Sequence, residues 1–144
     1  MKNVSFTFHG TRMTIRLTTA DTGGAYALIE MQHPANAGPA LHVHPRGPES
    51  FYVLAGEYTF YRGDEMIIAR TGNGVVIPAG VPHRYHSGAS GGRALVITPP
   101  GLEQYFFRIA GQLSVGPVPQ EEEFAVASDA GQDFLDTVGH WGAE

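Results

Sequence analysis

Apolar and polar residues alternate along most of the first 98 positions. Phe6 and Phe8 stand between polar residues, and Met13 and Ile15 repeat the pattern after a turn near Gly10. A period of two is typical of strands with one buried face, and Gly, Pro and Asn residues separate the segments. The predicted strands lie near 6–8 and 12–17 and then at 25–31, 41–44, 49–54, 58–61, 66–69, 75–77, 84–86 and 94–97.

The hydrophobic period changes after residue 101. Leu102, Tyr105, Phe106 and Ile109 follow the i, i+3, i+4, i+7 spacing of an amphipathic helix. We expect this helix to end near Gly111, since glycine favours the backbone conformation that follows a helix. We predict a second short helix over residues 121–128, because acidic residues favour its N-terminal end.

Many short strands with no long helix between them predict an all-β fold. We expect an antiparallel sandwich or barrel with short C-terminal helices. The chain is one domain overall in this prediction, because 144 residues are a natural length for one core. The barrel would occupy residues 1–100, and a helical extension over 101–144 would pack on it.

The amino-acid composition excludes several kinds of site and partner. The chain has no cysteine, which excludes disulfides and thiolate ligands and leaves nitrogen and oxygen donors for any metal. A net charge of −5 without a basic run argues against nucleic acid as a partner. No apolar run approaches the roughly 20 residues of a membrane helix. The alternating residues 1–8 predict a strand rather than a signal peptide, and the absence of cysteine fits the cytoplasmic location that we expect.

Four residues carry the clearest chemistry. His42 and His44 lie one residue apart on a predicted strand, so they share a face, with Cα atoms roughly 6.5 Å apart. Glu49 adds a carboxylate and His83 a third imidazole. Three imidazoles and one carboxylate suit a divalent Fe, Mn, Co, Ni or Zn ion and leave a coordination position open for catalysis. The alternative is a cluster of satisfied core histidines or an ion-pair group.

The spacing of these residues follows two motifs. The motifs are Gly38-x3-His42-x-His44-x4-Glu49-x6-Gly56 and Gly72-x5-Pro78-x-Gly80-x2-His83. Together they resemble the two motifs of the cupin family over about residues 25–98. Asn36 stands where that family has glycine, and Ser87 stands where it has asparagine, but neither is a ligand position. The resemblance implies a jelly-roll β-barrel with one divalent metal ion per subunit, bound inside by His42, His44, Glu49 and His83.

Within the cupins, the residues of both motifs are similar to those of small quercetin-dioxygenase-like proteins. This resemblance implies a dioxygenase that acts on an enolic or aromatic, flavonol-like small molecule. Glu49 is then the catalytic base as well as a ligand; a purely ligating glutamate is the alternative. A polyketide cyclase or isomerase that uses the metal as a Lewis acid, and a non-enzymatic small-molecule-binding cupin, are the competing functions. We expect a homodimer, because small barrels expose sheet edges.

Four further side chains share a strand face with the ligands or lie close to them. Phe51 and Val53 follow Glu49 on its face, Tyr85 follows His83, and Phe60 belongs to the next predicted strand. We predict that they line the substrate cavity, with ordinary core packing as the alternative.

Three residues stand outside this set. His33, in a predicted loop, is a candidate for an extra ligand or proton donor at the cavity mouth, although loop histidines are usually solvated. His86 is predicted on the face opposite His83, at the surface or an interface. Trp141 is predicted as a packing anchor or a dimer contact.

Overall fold

Residues 3–142 are described in the computed structural model of the protein. Within this range the strands are β1 (Val4–Phe8), β2 (Thr11–Leu17), β3 (Ala27–His33), β4 (His42–Val43), β5 (Glu49–Arg62), β6 (Glu65–Arg70), β7 (Gly74–Ile77), β8 (His83–Thr98) and, after the helices, β9 (Asp133–Phe134). The helices are α1 (Glu103–Leu113) and α2 (Gln120–Asp129), and a 3₁₀ turn lies at His140–Gly142. The predicted all-β class with two short C-terminal helices is confirmed.

Every strand pair is antiparallel, and β8 is the strand that joins the others. The order is β1-β2-β3-β8-β4-β9, and β5 pairs with β6, β7 and β8. The C-terminal half of β8 pairs with β3 and the first half of β5, whereas its N-terminal half pairs with β4 and the second half of β5. Because β5 and β8 pair with each other along nearly their whole lengths and also pair with other strands, the sheet curls on itself, as a jelly-roll barrel requires.

Two predicted interruptions of strands are wrong. The predicted strands at 49–54 and 58–61 form one strand, β5, and those at 84–86 and 94–97 form one strand, β8, because residues 55–57 and 88–92 continue them. The register between these strands shifts on both sides of Gly56, which has a φ of 78°. A Cβ atom at Gly56 would overlap the Gly91 carbonyl. The glycines therefore mark bulges where two strands cross closely, rather than the ends of strands.

Smaller differences concern element boundaries. β3 starts and ends two residues later than predicted, so His33 belongs to a strand and not to a loop. α1 continues past Gly111 to Leu113, and the backbone N–H of Ser114 then bonds to the Ala110 carbonyl. The two-residue strand β9 was not predicted, because two residues are too few for a periodic signal.

The helices cover the β1 end of the sheet through aromatic contacts. The Phe8 ring meets the rings of Tyr105, Phe106 and Trp141 edge-on, at centroid distances of 5.4, 5.1 and 5.3 Å. All four side chains are buried, and burying one such ring stabilises the fold by about 1.5–3 kcal/mol. No helix within residues 3–142 is long and apolar enough to cross a membrane.

The division of the chain at residue 100 stays a prediction, and the outermost positions of its two ranges, residues 1–2 and 143–144, lie outside the described residues.

Candidate metal centre

The four predicted ligand residues come together inside the barrel. His42 lies on β4, His44 directly after it, Glu49 opens β5 and His83 opens β8. His42 and His83 are direct partners across the β4–β8 pair. One possible ligand atom from each of the four residues lies within 4.8 Å of the others. All four side chains are buried, so the group is shielded from water.

Two proline-containing turns deliver these side chains. The first, over residues 45–48, reverses the chain between β4 and β5, and the second, over residues 78–82, leads into β8. The backbone N–H of Gly80 donates to the His44 carbonyl at 3.0 Å. The turns are thus joined directly, which fixes His83 relative to the first pair of histidines.

Backbone carbonyls set the tautomers of two rings. Nδ1 of His42 lies 2.8 Å from the Ala40 carbonyl oxygen, and Nδ1 of His83 lies 2.9 Å from the Val81 carbonyl oxygen. A carbonyl only accepts, so each Nδ1 carries the proton and donates it. In the neutral rings the Nε2 atoms therefore have free lone pairs, the form in which imidazole binds a metal.

The carboxylate of Glu49 faces this group. Its Oε1 lies 3.2 Å from Nε2 of His44 and 3.2 Å from Nε2 of His83. Because His83 already donates from Nδ1, its neutral ring would turn a lone pair towards a carboxylate oxygen. This contact is favourable only when a positive charge, a second ring proton or a metal ion, lies beside both atoms.

Burial and charge act against protonating the whole cluster. Burial lowers the pKa of His42 well below its usual value, and positive charge on His83 and His44 lowers it further. Burial alone would raise the pKa of Glu49, but its close contacts with the His44 and His83 rings lower it below the usual range. An anionic carboxylate and a neutral His42 are the protonation states that metal ligands require.

The distances also suit a metal ion. Two ligand atoms each about 2.1 Å from a common ion lie about 3.0 Å apart at a right angle and about 3.4 Å apart at the tetrahedral angle. The two separations of 3.2 Å from Glu49 Oε1 fall between these values. Among the described residues, Nδ1 of His44 has no hydrogen-bond partner. His44 is therefore the ring whose orientation the protein fixes least.

A second histidine–carboxylate group, formed by His9, Glu123 and His140, does not have the features of a metal site. Glu123 Oε1 lies 2.7 Å from His9 Nε2, and its Oε2 lies 2.7 Å from His140 Nε2. The Ala40 N–H donates to Nδ1 of His140 at 3.2 Å, so the ring proton is on Nε2, which donates to Glu123. The lone pair on Nδ1 of His140 is occupied by the Ala40 N–H, and Nε2 carries the proton, so this ring has no nitrogen free for a metal. The group is a hydrogen-bonded network. No motif marked it, because its members lie up to 131 positions apart.

The four predicted cavity residues lie in the barrel interior. Phe51, Val53, Phe60 and Tyr85 are all buried. The Phe51 ring lies 4.8 Å from Phe60 and 5.1 Å from Tyr85, and Phe60 lies 5.4 Å from Tyr85. The three rings thus pack on one another, and contact with a substrate stays a prediction for all four residues.

His33 does not lie among the four candidate ligands. It is buried on β3, with Nδ1 2.7 Å from the Tyr58 hydroxyl and Nε2 3.1 Å from the Tyr85 hydroxyl. Burial lowers the pKa of His33 to about 3, so the ring is neutral at physiological pH. The Trp141 ring stacks parallel to it at 5.8 Å. The placement of His33 in a solvated loop was wrong, because the β3 strand extends to this residue.

A segment in which Trp141 alone had a predicted role covers the candidate centre. Residues 132–142, here called the covering segment, pair with the strand that carries His42. Phe134 is the register partner of His42, and the two rings lie 5.5 Å apart. The N–H of Leu135 donates to the Leu41 carbonyl, and the N–H of Trp141 donates to the Gly38 carbonyl. The segment therefore contributes to the burial of the candidate ligands.

The sequence and fold resemble proteins already described. The profile of a family described as “Cupin domain” matches residues 28–99, half of the 144-residue chain. Quercetin 2,3-dioxygenase from Bacillus subtilis (strain 168) is 26% identical over 91 residues, which are 63% of this chain and 27% of that enzyme. The matched region thus spans only about a quarter of the enzyme's length.

Two solved structures have a similar fold. An RmlC-like cupin from Shewanella frigidimarina NCIMB 400 has a TM-score of 0.61 at 16% identity, covering 72% of this chain and 89% of that one. The polyketide cyclase RemF from Streptomyces resistomycificus has a TM-score of 0.54 at 26% identity, covering 62% of this chain and 64% of that one. These similarities confirm the predicted barrel.

Proposed function

This chain belongs to the cupin domain family, and from that membership we propose that it is a metal-dependent dioxygenase of a small enolic or aromatic molecule. His42, His44, Glu49 and His83 hold one divalent transition metal ion in this proposal. The observation that carries it is the contact of Glu49 Oε1 with Nε2 of His44 and Nε2 of His83. The ring proton of neutral His83 lies on Nδ1, where it bonds to the Val81 carbonyl, so Nε2 faces Glu49 with a lone pair. The 26% identity to a quercetin dioxygenase supports the choice of reaction.

The protein residues have separate tasks. A metal bound at this position supplies redox chemistry towards dioxygen or Lewis acidity towards a carbonyl. We assign Glu49 the role of general base, which takes the proton of an enol or phenol onto a carboxylate oxygen. The lowered pKa of Glu49 keeps its carboxylate ionised, the state that both metal binding and proton acceptance require. The apolar surroundings of the centre exclude water from the reacting atoms.

The substrate in this proposal is a flat, partly apolar molecule. Phe51, Val53, Phe60 and Tyr85 offer aromatic and aliphatic surface on the inside of the barrel. Aromatic side chains bind flat rings by stacking or edge contacts. A flavonol or a related enol has both the ring and the acidic hydroxyl that this combination selects.

A metal-dependent polyketide cyclase is the second candidate function. The similarity to a polyketide cyclase structure at 26% identity favours it. The same aromatic interior would enclose a poly-β-ketone, and Glu49 would again move the proton. The two reactions differ in their need for dioxygen, since a cyclase forms a carbon–carbon bond without an oxidant.

Metal content and oxygen dependence test the proposal. Protein produced without added metal is analysed for its elements, and we expect about one transition metal ion per chain. His83→Ala should lose this metal, whereas His86→Ala should retain it, because His86 lies three residues further along the same strand and bonds to the Ser87 carbonyl instead. Metal-free wild type, or equal metal content in both variants, would refute the metal centre.

Oxygen consumption then separates the functions. Iron, manganese or nickel together with oxygen uptake on adding a flavonol such as quercetin supports the dioxygenase. Zinc together with turnover of a poly-β-ketone under anaerobic conditions supports the cyclase. Retention of a small molecule without turnover indicates the binding protein. Glu49→Gln should keep the fold and lose turnover, and full activity of this variant would exclude the base role.

A homodimer completes the proposal. β1 lies at an edge of the sheet, and Val4 and Phe107 near that edge are exposed. An unpaired edge strand with apolar neighbours favours pairing with a second copy. Light scattering that finds only a 15.5 kDa species would exclude the dimer. The cytoplasmic location stays a prediction.

A further inference from the structure

A continuous set of hydrogen bonds links the second histidine–carboxylate group to a candidate metal ligand. Glu123 Oε2 accepts from Nε2 of His140 at 2.7 Å, and Nδ1 of His140 accepts from the Ala40 N–H at 3.2 Å. The carbonyl of the same residue, Ala40, accepts from Nδ1 of His42 at 2.8 Å. Both backbone groups of Ala40 are therefore used, one towards His140 and the other towards His42.

The carboxylate at the far end of this set is firmly held. Glu123 on α2 is buried, and it also accepts from His9 at 2.7 Å and from the Tyr105 hydroxyl at 2.5 Å. Burial alone would raise its pKa, but hydrogen bonds from His140, His9 and Tyr105 lower the pKa to about 2. The carboxylate is therefore anionic at neutral pH and keeps the Nε2–H tautomer of His140 in place.

The geometry points to His140 as a positioning residue for the metal ligand His42, acting through the backbone of Ala40, with Glu123 orienting His140. This inference rests on the proposed metal centre. Partners that hold a ligating imidazole through its second nitrogen fix the ring and commonly change metal affinity 10–100-fold when they are removed. For His42 that partner is a backbone carbonyl, whose position depends on the bond that His140 accepts.

The chain contains a matched control for this role. His9 and His140 each donate to one oxygen of the same carboxylate, but only His140 also contacts Ala40. His140→Phe keeps a ring of similar size and loses both bonds, whereas His9→Phe loses only a bond to Glu123. His140→Asn provides a rescue, because its side-chain oxygen can still accept from the Ala40 N–H.

The test measures Co²⁺ binding by chelator competition together with proton exchange in the Co²⁺-loaded protein. The ring Nδ1–H protons of Co²⁺-bound histidines give shifted NMR signals, and the exchange rate with water reports how firmly each proton is held. His83, which donates to Val81, is the internal reference. We expect His140→Phe to weaken Co²⁺ affinity about 10-fold or more and to speed exchange of the His42 proton alone.

The control variants should behave differently. His9→Phe and His140→Asn should stay within about threefold of wild type in Co²⁺ affinity, below the usual effect of such partners. Equal losses in His9→Phe and His140→Phe, or an unchanged His42 exchange rate in His140→Phe, would overturn the inference. His140→Leu replaces the phenylalanine variant if that ring prevents folding.

The outcome for the proposed function is read separately. If wild type binds no Co²⁺, or if His83→Ala binds it equally well, the metal centre and this inference both fail. If wild type binds Co²⁺ and responds as expected but turns over neither a flavonol nor a poly-β-ketone, the proposed reaction fails and the positioning role of His140 stands.

Discussion

Removing the metal should lower the thermal stability of the protein by an amount that depends on metal concentration. Glu49 Oε1 lies 3.2 Å from Nε2 of His44 and 3.2 Å from Nε2 of His83, close enough for one cation to contact all three atoms. An ion that binds the folded chain and not the unfolded chain stabilises the fold by mass action. We therefore predict a higher unfolding temperature with metal than after treatment with a chelator.

The size of this effect follows from the length of the chain. A metal at 100 times its dissociation constant adds about 2.7 kcal/mol to the free energy of unfolding. The unfolding entropy is about 2.1 cal/mol/K per residue, or about 0.3 kcal/mol/K for 144 residues. The ratio gives a rise of about 9 °C in the unfolding temperature, and each further tenfold increase in free metal should add about 1.4 kcal/mol.

Differential scanning calorimetry of chelator-treated protein, with stepwise additions of Co²⁺ or Fe²⁺, measures this rise. His83→Ala should lose the response to metal, and His86→Ala should keep it, since the two histidines occupy the same strand but only His83 contacts Glu49. The reasoning is wrong if the unfolding temperature of wild type does not change with metal, or if His83→Ala shows the same rise.

Three further predictions concern the barrel and its polar contacts. Tyr58→Phe should lower the free energy of unfolding by about 1–3 kcal/mol, because Nδ1 of buried His33 loses its partner. Tyr52→Phe, at an exposed tyrosine, is the control, and equal urea midpoints for the two variants would contradict this prediction. Gly38→Ala should cost about 3 kcal/mol or more, because its Cβ would overlap a backbone oxygen of β8; an unchanged urea midpoint would contradict it. The Glu123 carboxyl has a folded pKa of about 2 and an ordinary value of 4.5, so its contribution is present above the ordinary value and is lost as pH falls towards 2. Glu123→Gln should flatten the dependence of unfolding free energy on pH in that window, and an unaltered dependence would count against the network.

The sequence predicted the parts of the molecule that depend on regular spacing. Alternation located most strands, and the i, i+3, i+4, i+7 spacing located α1. The convergence of His42, His44, Glu49 and His83 followed from two motifs whose spacing reflects the strands and turns that bring the four side chains together. Each of these patterns covers fewer than 20 residues, and the resemblance to a known family joined the two motifs into one predicted site.

Features that depend on distant contacts were not predictable in this way. The glycine at position 56 looked like a turn, and only the close crossing with Gly91 makes it a bulge in a long strand. His9 and His140 carried no motif, since they meet only through a carboxylate on α2. Phe134 lies beside His42 because β9 pairs with β4, and a two-residue strand has no recognisable period.

The position of the covering segment along the chain affects how the centre can be loaded during synthesis. All four candidate ligands leave the ribosome before residues 132–142, which then pair beside His42. At about 5–20 residues per second, the roughly 60 residues from His83 to the end of that segment take about 3–12 s to make. In the proposed metal centre, an ion bound during those seconds would therefore reach the ligands before the covering segment packs beside His42.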